Sequence, residues 1–266
     1  MIYNEPIFLI GGDSFITIEL GDDGSLSLNL YILTLEKLIL ESKILGIIDT
    51  TSLRTTIMVH YDPFVVQAPQ MIDRIRKLIN NGIKVPLKFP SRLIHLPVLY
   101  NDPWTRECAK AFGLPPNLEM IAEENGISAQ KVIEIHSAPT YFVSYTSFMF
   151  GSFGAFPTEQ KITLKNSKYK KPRKWTPTGA LGLGGTTTAF YSVSSPGGIM
   201  MLGNIPVKTF DTEGGNRFFK EDPLLIHPGD RLRFSPIGRE EYDYIKKYVD
   251  DYDYQIEEGF IELPKT

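Results

Sequence analysis

Between Pro172 and Gly198 the chain reads PRKWTPTGALGLGGTTTAFYSVSSPGG, with six glycines and three prolines. These are the two residues a helix interior tolerates least, so the stretch has to be built from short strands and turns. Everything after Tyr141 shares this character: β-prone runs broken by Gly and Pro, the pattern of a barrel or sandwich. The stretch is also basic. No Asp or Glu occurs from Gln160 to Phe210, whereas Lys161, Lys165, Lys168, Lys170, Lys171, Arg173 and Lys174 fall just before the glycines. Such a run serves either as a solvated loop or as the meeting place for an anionic ligand or acidic partner.

The N-terminal part has a different texture. Ser14 to Leu20 (SFITIEL) alternates like a half-buried strand, and Leu28 to Leu45 places Ile32, Leu35, Leu38 and Ile39 at helical spacing before Gly46. Strands follow over GIIDTT (46–51) and LRTTIMVHYD (53–62). The second turns Leu53, Thr55, Ile57 and Val59 to one face and Arg54, Thr56, Met58 and His60 to the other. The segment QMIDRIRKLINNG then makes an amphipathic helix with Met71, Ile72, Ile75, Leu78 and Ile79 inward and Gly82 at its end. Strand, helix, strand, strand, helix, strand is the order of a ferredoxin-like α+β unit, here residues 1–91. Residues 92–238 carry two short helices, NLEMIAEENG and SAQKVIEIHS, N-capped by Asn117 and Ser128, and then the β-rich part. Residues 239–266 form an acidic, tyrosine-rich C-terminal extension expected to dock on a partner or on the basic 161–174 region.

Several functions are disfavoured. No apolar run approaches a membrane span and no secretory leader opens the chain, so a cytoplasmic protein without a membrane partner is expected. Cys108 is the only cysteine, which removes disulfides and thiolate zinc within the chain. The net charge is −3, and the helix pair AEENGISAQKVIEI, spaced like a helix-turn-helix, sits in an acidic surround; no nucleic-acid partner is expected. GALGLGG lacks the Gly-Lys-Ser/Thr of a phosphate loop, and 182–187 lacks the third glycine of a dinucleotide fingerprint. His60, His95, His136 and His227 show no metal-ligand spacing, and each is more simply a structural or surface histidine.

The strings KYKKPRKWTPTGALGLGG, FYSVSSPGGIMMLGNIPVKTFD and HPGDRLRFSPI, with GDS at Gly12 to Ser14 and VHYD at Val59 to Asp62, resemble the carboxyltransferase C/D family, also called allophanate hydrolase subunit 1. The resemblance runs over about residues 10 to 238. It implies a cyclophilin-like β-barrel after the ferredoxin-like domain. Family members include the B-type subunit of bacterial 5-oxoprolinase, the Kip-type inhibitor of a histidine kinase, and part of biotin-dependent urea carboxylase. Where the oxoprolinase type carries its GF-PGF-YL and QTG-IYP segments this chain has SFMFGSFGAFPT and TTTAFYSV. LPVLYNDPWTRECAKAFGLPPNLEMIAEENG and the Tyr-Lys-x-Pro-x-x-Trp-Thr-Pro run are closer to urea carboxylase.

What the resemblance implies is a subunit of a biotin-dependent carboxyltransferase, inactive alone. It would move the carboxyl group of carboxybiotin to urea, another amide or guanidine, or a ketone. Its implied partners are a carboxyltransferase A/B subunit (allophanate hydrolase subunit 2-like), a biotin carboxylase and a biotin carrier protein, with ATP used by a partner subunit. The alternatives are an ATP-dependent 5-oxoprolinase subunit and a kinase-inhibiting binding module. For transfer chemistry, glycines admit backbone N–H groups close to an anion and preorganised donors stabilise developing charge. The expected binding residues are therefore Arg173, Thr178, Gly182, Gly184, Gly185, Thr186, Thr187, Ser195, Gly197 and Gly198, with Lys174, Tyr191, His60 and Arg54 as catalytic candidates. The competing reading makes TPTGALGLGG two barrel strands with a glycine-lined crossing.

Overall fold

A computed structural model describes residues 1–159, 164–167, 169 and 171–263 of the chain. Two compact units emerge: residues 1–91 with the C-terminal 260–266, and residues 92–259.

The first unit is an antiparallel four-stranded sheet backed by two helices. Its elements are β1 (Ile2–Gly11), β2 (Phe15–Gly21), α1 (Leu26–Glu41), β3 (Ile47–Ser52), β4 (Thr56–Tyr61) and α2 (Ala68–Asn80), with sheet order β1-β2-β4-β3. Alternation decides which face is buried: Ile16, Ile18, Leu20, Ile57, Val59 and Tyr61 meet Leu28, Ile32, Leu35 and Ile39 of α1 and Met71 and Ile75 of α2. The connectivity departs from the expected order in one respect. The edge position that a strand after α2 takes in a ferredoxin-like sheet belongs here to the N-terminal β1. This strand folds back on β2 through the Gly12–Ser14 turn, with Gly11 opposite Phe15 and Gly12 at φ +61°. The strand after α2, β5 (Lys88–Pro90), pairs instead with β16 (Phe260–Glu262).

The second unit is a closed seven-stranded barrel. Its strands are β6 (Leu93–Tyr100), β7 (Tyr141–Tyr145), β8 (Gly154–Pro157), β10 (Ala180–Gly184), β11 (Thr187–Phe190), β13 (Met200–Asn204) and β14 (Arg231–Pro236). They run in the order β13-β10-β11-β8-β7-β14-β6, and β6 pairs back onto β13. Closure removes the sheet edges. Helices α3 (Pro103–Ala111), α4 (Asn117–Asn125) and α5 (Ala129–Ser137) lie between β6 and β7. A separate ribbon pairs β9 (Arg173–Thr176) with β12 (Ser195–Gly197).

Ser128 caps α5 as expected, accepting from Lys131 N at 3.1 Å. Asn117 does not cap α4: Pro116 holds that position, and the buried Asn117 amide accepts from Met201 N (2.8 Å) and donates to Tyr169 Oη. Its polar side chain ties the helix to β13, a more valuable use than an exposed cap.

The described part of the acidic C-terminal extension, residues 239–263, is built into the fold. It forms α6 (Arg239–Lys247), β15 (Ile256–Glu257) on β6, and β16. Tyr242 and Tyr254 are buried and donate to Asn204 Oδ1 (2.8 Å) and Lys208 O (2.7 Å). Its acids pair with Lys208, Arg217, His95 and Arg239, none of which belongs to the basic 161–174 run. Among the described residues, no helix is long and apolar enough to cross a membrane.

Candidate functional site

The glycine-rich stretch becomes β9, the turn Pro177–Gly179, the hairpin β10–β11, and β12. Each glycine has its own reason. Gly179 adopts φ +84° in a turn locked from three sides: its N–H donates to Tyr191 O (2.7 Å), its carbonyl accepts from Ile205 N (2.8 Å), and Asn204 Nδ2 donates to Thr178 O (2.8 Å). Gly185, at φ +69°, is the first residue of the two-residue turn joining Gly184 to Thr187, where a positive φ matches the strand twist. A side chain at Gly182 would enter the Met200 carbonyl oxygen of the neighbouring strand, and one at Gly197 would enter the Tyr191 ring. Gly184 meets only Ile199 Cγ2, at 3.0 Å, and Gly198 faces open space.

Thr178 stands at the tip of the locked turn, over a cleft of about 110 Å³. Gly179, Phe190, Ser192, Val193, Ile205, Val207, Lys208, Thr209, Phe210 and Lys246 complete its lining. Lys208 is paired with Asp250 (2.6 Å) and Asp211 (3.0 Å), which raise its pKa and lower that of Asp211. Lys246 reaches in from α6. Its ammonium contacts Pro206 O at 3.5 Å, and burial, with Lys208 nearby, lowers its pKa. The surface beside the cleft is apolar: Phe150 is exposed and stacks on Phe210 at 5.3 Å, and Val193 is exposed, whereas Phe148, exposed at φ +81°, packs edge-on against the Tyr191 ring. An exposed phenylalanine held at positive φ marks a loop whose conformation is imposed by its surroundings.

The residues singled out by sequence are dispersed. Lys174 is exposed on the β9–β12 ribbon, with Ser195 opposite Thr176 and Gly197 opposite Arg173. Arg173 is not a ligand-facing arm: it is 2% exposed, donates to Ile199 O (2.9 Å) and Thr176 Oγ1 (3.3 Å), and lies over Tyr169. Tyr191 is likewise enclosed, against Gly197 and the core around Cys108. Burial raises the Cys108 thiol pKa, and the thiol donates to Trp175 O, which suits packing and not nucleophilic attack.

The far end of the hairpin, with Gly184, Gly185, Thr186 and Thr187, is separated from Thr178 by the whole of β10, about 17 Å at the usual rise per strand residue. There Gly185, Thr186 and Thr188 line a cavity of about 40 Å³ beside His136 and Tyr141. The expected single constellation is therefore corrected to two places at opposite ends of β10, and Gly182, in mid-strand, belongs to neither. Thr188 is buried and bonded to His136 Nε2 (3.0 Å). Arg54 and His60 belong to the first unit. Arg54 donates to Gly24 O (3.3 Å), and His60 stacks on Phe15 at 4.5 Å. Of the basic run, Lys161, Lys168 and Lys170 lie outside the described residues; Lys165 is tied to α4 through Asn125. The sequence reading missed Lys208 and Lys246, which are far apart in the chain and converge only through α6.

Residues 6–219 match the family described as carboxyltransferase domain, subdomain C and D. The chain belongs to this family. A urea amidolyase of Saccharomyces cerevisiae is 25% identical over 94% of the chain, which spans only 14% of that protein. The B-type subunit of a Bacillus subtilis 5-oxoprolinase is 26% identical over 89% of the chain and 95% of its own length. The crystal structure of the Kluyveromyces lactis urea carboxylase shares the fold, with a TM-score of 0.88 at 21% identity over 97% of this chain and 24% of that one. The chain is thus a carboxyltransferase-like domain whose relatives are parts of enzymes, and its barrel and separate sheet domain are those of the urea carboxylase fold.

Proposed function

We propose that this carboxyltransferase C/D chain is one half of a biotin-dependent carboxyltransferase, taking the carboxyl group of carboxybiotin at the Thr178 cleft for transfer to urea, another amide or guanidine, or a ketone. The supporting observation is the make-up of the cleft. Its lining offers the hydroxyl of Thr178 on a locked turn and the ammonium groups of Lys208 and Lys246, but no carboxylate or imidazole. Such a surface stabilises an anion without reorganising, yet it lacks the usual groups for deprotonating an acceptor. The base then comes from a partner chain or from biotin itself. Biotin supplies the activated carboxyl group; the volume suits that group and a small acceptor, not the whole cofactor. The exposed Phe150 and Val193 at the cleft are the kind of apolar surface that a partner covers.

Purified alone, the chain is expected to fix no carboxyl group. Combined with an A/B-type partner, a biotin carboxylase and a biotin carrier protein, it is expected to support ATP-dependent bicarbonate incorporation into urea, amides or ketones. Activity of the single chain, or inactivity of the full set on every acceptor, refutes the reading. Lys174, four residues before Thr178 on the exposed ribbon, is assigned to the arriving anion; Lys174→Met is expected to lower kcat/KM at least about tenfold at unchanged Tm. Unchanged turnover removes it from the site.

A second reading, a subunit of an ATP-dependent 5-oxoprolinase, is favoured by one observation: the Bacillus subtilis oxoprolinase component aligns over nearly its whole length. Lactam hydrolysis in the same reconstitution, with no bicarbonate fixed, selects it.

A further inference from the structure

We infer that the Thr178 cleft is a binding site for a small monocarboxylate, with Lys246 of α6 as its counter-ion. The family match ends at residue 219, so this lysine lies outside it. The first reason is charge. Of the two ammonium groups lining the cleft, Lys208 is held between Asp211 and Asp250, whereas Lys246 has no carboxylate partner among the described residues and only a long contact to the Pro206 carbonyl. Lys246 is exposed as a residue, but its ammonium contact with Pro206 O is partly buried, and a cation placed so without a counter-ion is stabilised by an anion entering beside it.

The second reason is donor placement. The Thr178 hydroxyl has no partner among the described residues, and Thr178 and Lys246 line the same cleft. Their relative position is fixed through side chains: Tyr242, one turn before Lys246 on α6, donates to Asn204 Oδ1, and Asn204 Nδ2 donates to the Thr178 carbonyl. Helix and turn are therefore braced against one another through a single amide, which holds an ammonium and a hydroxyl on one small volume.

The third reason is size and polarity. At about 110 Å³ the cleft is well below the roughly 300–1,000 Å³ of pockets for drug-sized ligands. It admits a molecule of a few heavy atoms. Its walls, Val193, Ile205, Val207 and Phe210, are apolar, which suits a short hydrocarbon or planar remainder behind one carboxylate. This assignment rests on the side chains of the cleft and holds whether or not the chain serves carboxyl transfer.

The test uses the full chain, labelled with nitrogen-15, titrated with sodium acetate at constant ionic strength against sodium chloride, and with acetamide as the uncharged isostere. Acetate is expected to move the amide signals of Thr178, Gly179, Ser192 and Val193 saturably, and acetamide to leave them in place. Lys246→Met is expected to weaken acetate binding at least about tenfold, Lys246→Arg to keep it within about threefold, and Lys247→Met, on the same helix but outside the cleft, to change nothing. The inference is overturned if those amides do not respond saturably, if acetamide binds as acetate does, or if Lys246→Met binds like the parent. Should Lys246→Met fail to fold, Lys246→Gln replaces it, and the acetate against acetamide comparison on the unmodified chain decides by itself.

Discussion

Gly182→Ala is expected to cost more than about 3 kcal/mol of stability, the upper end of overpacking losses, whereas Gly184→Ala stays within about 1 kcal/mol of the parent. The two glycines sit on one strand, two residues apart, on the same face. At Gly182 the added methyl meets the Met200 carbonyl oxygen and the Met201 Cα, both main chain. No rotamer change relieves that, so β10 and β13 must separate where their register already shifts, between Leu181 and Gly182. At Gly184 the methyl meets one carbon of the Ile199 side chain at 3.0 Å, and that side chain can turn away. The backbone at neither site has a positive φ, so the contrast is purely one of contact. Urea unfolding of both variants measures it; equal midpoints refute the account, and an unstable Gly184→Ala with a stable Gly182→Ala reverses it.

That contrast explains how the glycine run misleads sequence reasoning. A glycine that lets a ligand approach and one that lets a neighbouring strand approach look alike in one dimension. The pattern of short strands from Tyr141 onward is enough to expect a barrel or sandwich, the family resemblance selects the barrel, and alternation in Phe15–Gly21 and Thr56–Tyr61 is enough to orient the first sheet. Local signals do not carry the rest. The edge place of β1 depends on which of two strands reaches β2 first, and the β1–β2 hairpin, closed by the Gly12–Ser14 turn, is the more local solution. Helix α3 carries a legible start: Asp102 accepts from Thr105 N at 2.9 Å and Pro103 occupies the first turn, a cap-and-proline signal.

For the site, adjacency in sequence is a poor guide to adjacency in space. Lys174 lies on β9 and Thr178 in the turn that follows it, but Lys174 is not among the residues lining the cleft. Gly185 and Thr186 do not line it either, because a strand carries them away. Arg173 shows the opposite failure: a cation in a basic run is expected to face an anion, yet its length and planar head make it a cross-brace between β9 and Ile199, stacked on Tyr169. Lys246 could not be found from motifs at all, since nothing near it in the chain marks a site.

Acid is expected to destabilise the barrel through one histidine. The imidazole of His136 is buried among side chains from β6, β7, β11 and β14: Tyr100 Oη lies 2.7 Å from Nδ1, Thr188 Oγ1 lies 3.0 Å from Nε2, and the Phe234 ring stacks at 5.2 Å. Hydroxyls can serve a neutral ring from both sides by rotating, but no carboxylate among the described residues stands by to support an imidazolium. Burial therefore depresses its pKa to about 3, from 6.5 in the unfolded chain. Between these values the unfolded state binds a proton that the folded state refuses, so stability is complete above pH 6.5 and falls as the pH drops towards 3. The slope is about 1.4 kcal/mol per pH unit. Asp102 and Glu36 act in the opposite sense, because burial raises their pKa values and the folded state holds their protons longer. The window from pH 5 to 6.5 lies between the folded and unfolded values of the histidine. Denaturant unfolding across that window should show stability rising with pH by close to one proton's worth, and His136→Gln, which keeps polar atoms for Tyr100 and Thr188 but cannot titrate, should flatten the slope even though it is less stable at pH 8. A parent slope near zero would mean that the ring is protonated inside the barrel. An unchanged slope in a folded His136→Gln would move the proton count to another group, with the less buried His60, His95 and His227 the next to be replaced.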